Sequence, residues 1–177
     1  MEFTLTKEQE AIAHSAAKDS MRPVLANVCL RNGELIAADG FILAKTKVSG
    51  EFTTENDTLI PSRDILRAKQ GKNPLRISGN GDNKVEICDK DGVILSEMQP
   101  GNFPKVDNLY PTEQSVFAIR ISKEVLSTML KMMVGNSDCI DFTFYSDKSA
   151  IAYKIFNRYH DKEDATISGI AMPMCRN

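Results

Sequence analysis

The chain has 177 residues, 42% hydrophobic and 26% charged, with a formal net charge of −2 and a pI near 5.7. That balance suits a globular chain of one domain, or one and a fragment, and excludes a disordered or low-complexity polypeptide. It is not the basic composition of a general nucleic-acid coat, but a basic face on an acidic protein stays open, because charge distribution outweighs the sum.

The chain opens Phe3-Thr4-Leu5-Thr6, a short strand ending in a hydroxyl cap, and residues 7–18 follow with helical spacing. Residues 24–30 and 34–38 read as strands around Asn32-Gly33, a two-residue hairpin signal. A second opening, Thr58-Leu59-Ile60-Pro61-Ser62, precedes a helix expected over 63–70. Val85-Glu86-Ile87-Cys88 alternates, and Asp91-Gly92 turns into Val93-Ile94-Leu95. Residues 103–111 carry two prolines and read as an extended linker. A third opening, Phe117-Ala118-Ile119-Arg120-Ile121-Ser122, leads into a helix expected over 123–133, and strands are expected at 140–144, 150–156 and 165–172.

Thr6, Ser62 and Ser122 occupy equivalent cap positions, each followed by an acid (Glu8, Asp64, Glu124) that suits a helix start. The chain therefore reads as three βαβββ repeats, near 1–52, 53–111 and 112–177. Strand-rich repeats with one helix each predict an α+β fold, the helices on one face of antiparallel sheets. Ile12, Ala13, Ala16 and Ala17, then Ile65 and Leu66, then Leu126, Met129, Leu130 and Met133 are the stripes expected to pack there.

The four cysteines, Cys29, Cys88, Cys139 and Cys175, lie far apart, and the two histidines are His14 and His160. Neither set has zinc-site spacing, so reduced thiols and no metal or cofactor are expected. Asp161, Glu163 and Asp164 beside His160 read as an exposed hairpin loop. Gly79-Asn80-Gly81-Asp82 reads as a turn, since no lysine and helix follow as in a phosphate loop. No nucleophile with a plausible base is evident, so a non-enzyme is expected. The apolar runs are too short for a membrane helix, and Met1-Glu2-Phe3-Thr4 lacks the features of a secretion signal, so a cytoplasmic protein with no membrane partner is expected.

Five segments, in order, resemble the bacterial sliding clamps, the beta subunits of DNA polymerase III. They are Arg22-Pro23-Val24-Leu25-Ala26-Asn27-Val28-Cys29-Leu30, Ala38-Asp39-Gly40-Phe41-Ile42-Leu43-Ala44, Leu59-Ile60-Pro61-Ser62-Arg63, Asn102-Phe103-Pro104-Lys105 with Leu109-Tyr110-Pro111, and Ile170-Ala171-Met172-Pro173-Met174-Cys175-Arg176. The resemblance implies a DNA-clamp (processivity) fold in shortened form. Residues 1–111 would be a complete clamp-like domain of two repeats, and 112–177 half a domain, like the C-terminal half of the last clamp domain. Phe41-Ile42 stand where the family has His-Arg, and Cys175 interrupts the terminal Met-Pro-Met-Arg.

Two activities follow from the resemblance. The first is encirclement of double-stranded DNA by cations on the helices: Lys7, His14 and Lys18 at i, i+7 and i+11, Arg63, Arg67 and Lys69, and Lys123 and Lys131. The same cations also fit an ordinary solvated helix face. The second is a partner-peptide pocket from Asp39, Gly40, Phe41, Ile42, Leu43, Pro61, Met172, Pro173 and Met174, where methionines adapt to varied apolar anchors and Gly40 admits the ligand to the backbone. Met172 and Met174 equally suit the end of a core strand. The resulting expectation is a DNA-replication tether for polymerase or repair proteins carrying clamp-binding motifs. The alternative is a clamp-derived peptide-binding module, or competitor, that does not encircle DNA. A lone third repeat leaves a sheet edge and half a core, so a homo-oligomer is expected, with the third repeat pairing with its copy in a second chain.

Overall fold

The three openings do not all become strands, and the difference organises the molecule. The computed structural model describes residues 1–18, 21–52, 57–68, 73–79, 83–109, 111–135, 137–146, 149–156 and 167–174. It divides into two compact units, Met1–Leu109 and Tyr110–Asn177.

In the first unit, β1 (Glu2–Leu5) leads into α1 (Lys7–Glu10) and a 3₁₀ turn (Ala11–Ser15). A second 3₁₀ turn (Pro23–Ala26) precedes the meander β2 (Asn27–Arg31), β3 (Glu34–Ala38) and β4 (Leu43–Lys47), and the short β5 (Gly50–Glu51) closes the repeat. The second repeat runs β6 (Thr58–Pro61), α2 (Ser62–Arg67), then the meander β7 (Leu75–Gly79), β8 (Lys84–Cys88) and β9 (Val93–Glu97), ending in a 3₁₀ turn (Asp107–Leu109).

The repeats exchange their opening strands. One sheet runs β5-β1-β7-β8-β9 and the other β4-β3-β2-β6, so each opening strand borders the first meander strand of the other repeat. Leu5 lies opposite Leu75, and Pro61 opposite Asn27, both antiparallel. One core therefore spans both sheets: Phe3 and Leu5 from β1, Val28 and Leu30 from β2, Ile60 from β6, Ile77 from β7 and Ile87 from β8. The helical segments enter the same core through Ile12, Ala13 and Ile65. Alternation explains β8, where Val85 and Ile87 are buried and Glu86 and Cys88 half-buried.

The β4-β3-β2-β6 sheet is covered on its other face too. Cys29, Ile36 and Leu59 pack there with Phe103 and Val106. Two residues of the segment expected as an extended linker, Phe103 and Val106, are thus buried in this core, while Pro104, Lys105 and residues 107–109 are exposed. The segment is pinned by Arg31 and Asp57, whose side chains meet in two bonds of 2.7 and 2.6 Å. Arg31 also donates to the Phe103 carbonyl at 2.8 Å, and the Phe103 N–H donates to Asp57 at 2.9 Å. The Arg31 guanidinium, with the Phe103 N–H, holds the Asp57 carboxyl below its ordinary pKa against the opposing effect of burial. Burial, with Asp57 nearby, pushes the Cys29 thiol up to about 12.

The second unit holds α3 (Lys123–Met132) and a meander, β10 (Cys139–Thr143), β11 (Ile151–Phe156) and β12 (Ile167–Ala171), in the order β10-β11-β12. Residues 111–122, expected to open with a strand, form no regular element. Met129, Ile151, Ile155 and Ala171 are its buried apolar residues among those described. Phe117 and Phe144 lie with ring centres 6.1 Å apart and stay partly exposed.

Several local expectations need correction. The helix expected over 7–18 stops at Glu10; a 3₁₀ turn follows and Ala16 is extended, because the Ala17 N–H turns away to the Leu25 carbonyl at 2.9 Å. Thr6 forms a full capping box with Gln9, and Ser122 caps through the Val125 N–H. Ser62 does not cap: Pro61 holds that position, and the Ser62 hydroxyl donates to the Ala26 carbonyl at 2.8 Å. The strand expected from residue 24 starts at Asn27, whose side-chain amide donates to the Pro23 and Val24 carbonyls and holds the preceding turn. The second helix ends at Arg67, with Ala68 extended. Asn32 and Gly33 have φ of 50° and 75°, the left-handed pair that a tight hairpin turn requires.

Candidate functional site

A cleft of about 500 Å³ opens beside the first-unit helical segments. Its floor is apolar, from Ala13, Ala16, Ala17, Pro23, Pro61 and Leu66, and its basic residues are His14, Lys18 and Arg63. The 3₁₀ turn supplies His14, the extended run after it supplies Lys18, and the first turn of α2 supplies Arg63. All three are exposed. Arg63 stands 3.8 Å from Asp64, but its side chain is 85% exposed and water screens the pair.

Three of the eight cations expected to meet DNA thus share one cleft, though not through the continuous helical face expected for them. Lys7, at the start of α1, and Arg67, on the last turn of α2, are exposed outside the cleft lining. Acids interrupt the row: Glu8 and Glu10 follow Lys7. Lys123 and Lys131 are exposed on α3 of the second unit. Lys69 lies outside the described residues, as do His160, Asp161, Glu163, Asp164 and Cys175. Leu66, expected to lie in the core, is 38% exposed and lines the cleft. No cluster of three or more potential metal ligands occurs among the described residues.

Asp39, Gly40, Phe41, Ile42 and Leu43 form the tip of the β3–β4 hairpin, with Ala38 opposite Leu43. The Asp39 carboxylate accepts the N–H groups of Phe41 and Ile42, both at 2.8 Å. Those bonds, from Ile42 and then Phe41, hold its pKa below the usual carboxylate value, with a smaller pull from Lys18. The tip turns its apolar side chains outward: Phe41 is 97% exposed and Ile42 59%. Gly40 has φ of +100°, and a Cβ there would meet the Arg22 Nη1 at 2.7 Å. The end of the exposed, flexible Arg22 side chain thus lies beside Gly40, the residue expected to admit a ligand to the backbone.

Pro61 is buried at the β6–α2 junction and lines the cleft with His14, Lys18 and Arg63. Met172 and Met174 follow β12 in the second unit and are exposed, with Pro173 half-buried between them. The Met174 N–H donates to the Arg120 carbonyl at 2.8 Å, tying this stretch to the third opening segment. They do not end a buried strand: β12 stops at the buried Ala171, and both methionines lie beyond it. Sequence reasoning missed Arg22 and Leu66 as site residues. Arg22 lay in a recognised motif, but its reach to Gly40 is tertiary, and Leu66 carries the same apolar signal as its buried neighbour Ile65.

No family model matches the chain and no curated protein matches it. Solved structures do. The DNA polymerase sliding clamp from Bacillus subtilis matches with a TM-score of 0.72 at 15% identity, covering 98% of this chain and 49% of that one. The DNA polymerase III subunit beta from Borrelia burgdorferi, solved in complex with a natural product, matches with a TM-score of 0.69 at 15% identity, covering 97% and 48%. The beta chain from Streptococcus pneumoniae matches with a TM-score of 0.66 at 16% identity, covering 98% and 49%. The chain spans about half the length of these proteins. Over nearly all of its own length, it has the fold of the bacterial DNA polymerase III beta-subunit clamp.

Proposed function

We propose that the chain is a clamp-like processivity factor of DNA replication, working in the cytoplasm as a homo-oligomer. It tethers polymerase or repair proteins carrying clamp-binding motifs to double-stranded DNA, without reading sequence and without catalysing a reaction. The observation that carries this reading is the first-unit cleft, where His14, Lys18 and Arg63 stand exposed beside the helical segments of a clamp fold. Exposed basic side chains attract phosphates electrostatically and read no base edge, so such a contact can slide. Lys7, Arg67, Lys69, Lys123 and Lys131 complete the proposed DNA face. Residues 1–111 act as a whole clamp-like domain and 112–177 as half of one.

Partner proteins dock in the first unit on the hairpin tip Asp39, Gly40, Phe41, Ile42 and Leu43 and on Pro61, and in the second unit on Met172, Pro173 and Met174. Exposed Phe41 and Ile42 support this, since both present apolar surface for a leucine or phenylalanine anchor. The same exposure, with a net charge of −2, favours a second reading in which the chain binds clamp-motif peptides and competes for them without encircling DNA.

Retention on circular against linearised DNA tests the first reading. A ring stays on the circle and runs off the linear form. Equal loss from both, with a clamp-motif peptide still bound by fluorescence anisotropy, rejects encirclement and leaves the second reading. Loss of peptide binding as well rejects both.

A further inference from the structure

The first unit shows how these repeats complete each other. An opening segment engages on two edges. On one edge it meets the tail of its own repeat: Phe3 pairs with Gly50, and the Gln99 N–H donates to the Leu59 carbonyl at 3.0 Å. On the other edge it joins the first meander strand of the neighbouring repeat, β1 on β7 and β6 on β2.

The third repeat has the first of these contacts without the second. The Met174 N–H donates to the Arg120 carbonyl at 2.8 Å, so residues 117–121 hold their own tail. They join no sheet among the described residues. Their counterpart is also missing: β10, the first meander strand, has β11 as its one strand neighbour in the described sheet. The helix repeats the pattern. In the first unit the two helical segments pack together into a shared core, whereas Leu126, Leu130 and Val134, at i, i+4 and i+8 of α3 and its end, are 41%, 62% and 68% exposed.

We infer that two copies of the chain exchange residues 117–121, each pairing antiparallel with the partner copy's β10, with the two α3 stripes packed together. One twofold axis satisfies both at once, because the unused segment and the unused edge belong to the same chain. The inner faces set the register. Ile140 and Phe142 share the face of buried Ile155 across β10 and β11, and Ile119 and Ile121 are the half-buried members of the opening segment. Ile121 therefore lies opposite Ile140, and Ile119 opposite Phe142; a one-residue slip would turn both isoleucines outward. That register sets Arg120 opposite Asp141, opposite charges facing each other on the solvent side. The inference specifies the self-association proposed above and needs no DNA, so it stands or falls apart from the tethering reading.

Light scattering on the full chain without DNA tests it. The expected mass is an even multiple of 19.6 kDa. Arg120→Asp and Asp141→Arg each set like charges opposite twice per dimer and weaken association about tenfold. An equimolar mixture of the two variants regains wild-type association, because every charge then meets its opposite. Leu130→Lys also weakens association by burying a charge in the helix stripe. Circular dichroism of the exposed-site variants, unchanged from wild type, separates lost association from lost fold. A monomer at the highest soluble concentration overturns the inference. So does a dimer indifferent to the charge reversals, or a mixture that fails to recover.

Discussion

In the first unit every opening segment is a strand paired with the first meander strand of the other repeat, and both helical segments sink into one core with both sheets. The second unit carries the same parts in the same order, with the same hydroxyl cap, yet its opening segment is not a strand and half of its helix stripe faces water. Local composition is comparable, since Phe117-Ala118-Ile119-Arg120-Ile121 is at least as strand-prone as Phe3-Thr4-Leu5. The difference is the availability of a neighbour. A strand is stabilised by the strand beside it, and β-propensity is a statement about fit to that surface rather than an intrinsic preference.

The sharpest way to break this comparison is a pair of helix truncations. Ile65→Ala removes a fully buried side chain from the shared core and is expected to cost about 3 kcal/mol in urea denaturation. Leu130→Ala, measured at monomeric concentrations, is expected to cost less than about 0.5 kcal/mol. Equal costs would mean that the two helices are equally buried, and the contrast would fail. Amide hydrogen exchange sharpens the same point: the β2 and β8 amides are expected to exchange more slowly than those of β10 and β12.

Asp57→Asn is expected to destabilise the first unit by about 2 kcal/mol, because it strips Arg31 of its carboxylate and weakens the hold on residues 103–106. The pH dependence has a definite sign. The folded pKa of Asp57 is depressed, so its contribution is complete above the unfolded value of about 3.9 and is lost as pH falls through the folded value. Wild type and Asp57→Asn should therefore converge in stability on acidification; curves that stay parallel would sink the assignment. Thr6→Ala should cost about 1 kcal/mol through the lost capping box. The smallest expected stability effect is at the hairpin tip. Phe41→Ala is expected to change stability by less than about 0.5 kcal/mol, since Phe41 is 97% exposed, while lowering the affinity for a clamp-motif peptide. Unchanged affinity would remove Phe41 from the proposed docking surface.

Much of the fold was legible because its signals are local. The Asn32-Gly33 turn, the alternation of β8 and the Thr6 and Ser122 caps depend on neighbours within a few residues. Legibility failed where a distant group competes. Leu25 draws the Ala17 N–H out of the first helix, and Ala26 takes the Ser62 hydroxyl that would have capped the second. The site divides in the same way. Exposure of Lys7, His14, Arg63 and Lys123 follows from their spacing, but the gathering of His14, Lys18 and Arg63 around one cleft does not.

By itself the sequence determined a repeated α+β grammar, its hydroxyl caps and turns, and the ordered motifs that pointed to a clamp fold. Tertiary structure decided which openings become strands, that Phe103 and Val106 of the linker are buried, and which basic residues share a surface. Caps and turns are settled by bonds a few residues apart, whereas strand pairing and cleft geometry depend on groups far away in the chain, whose meeting no local pattern encodes.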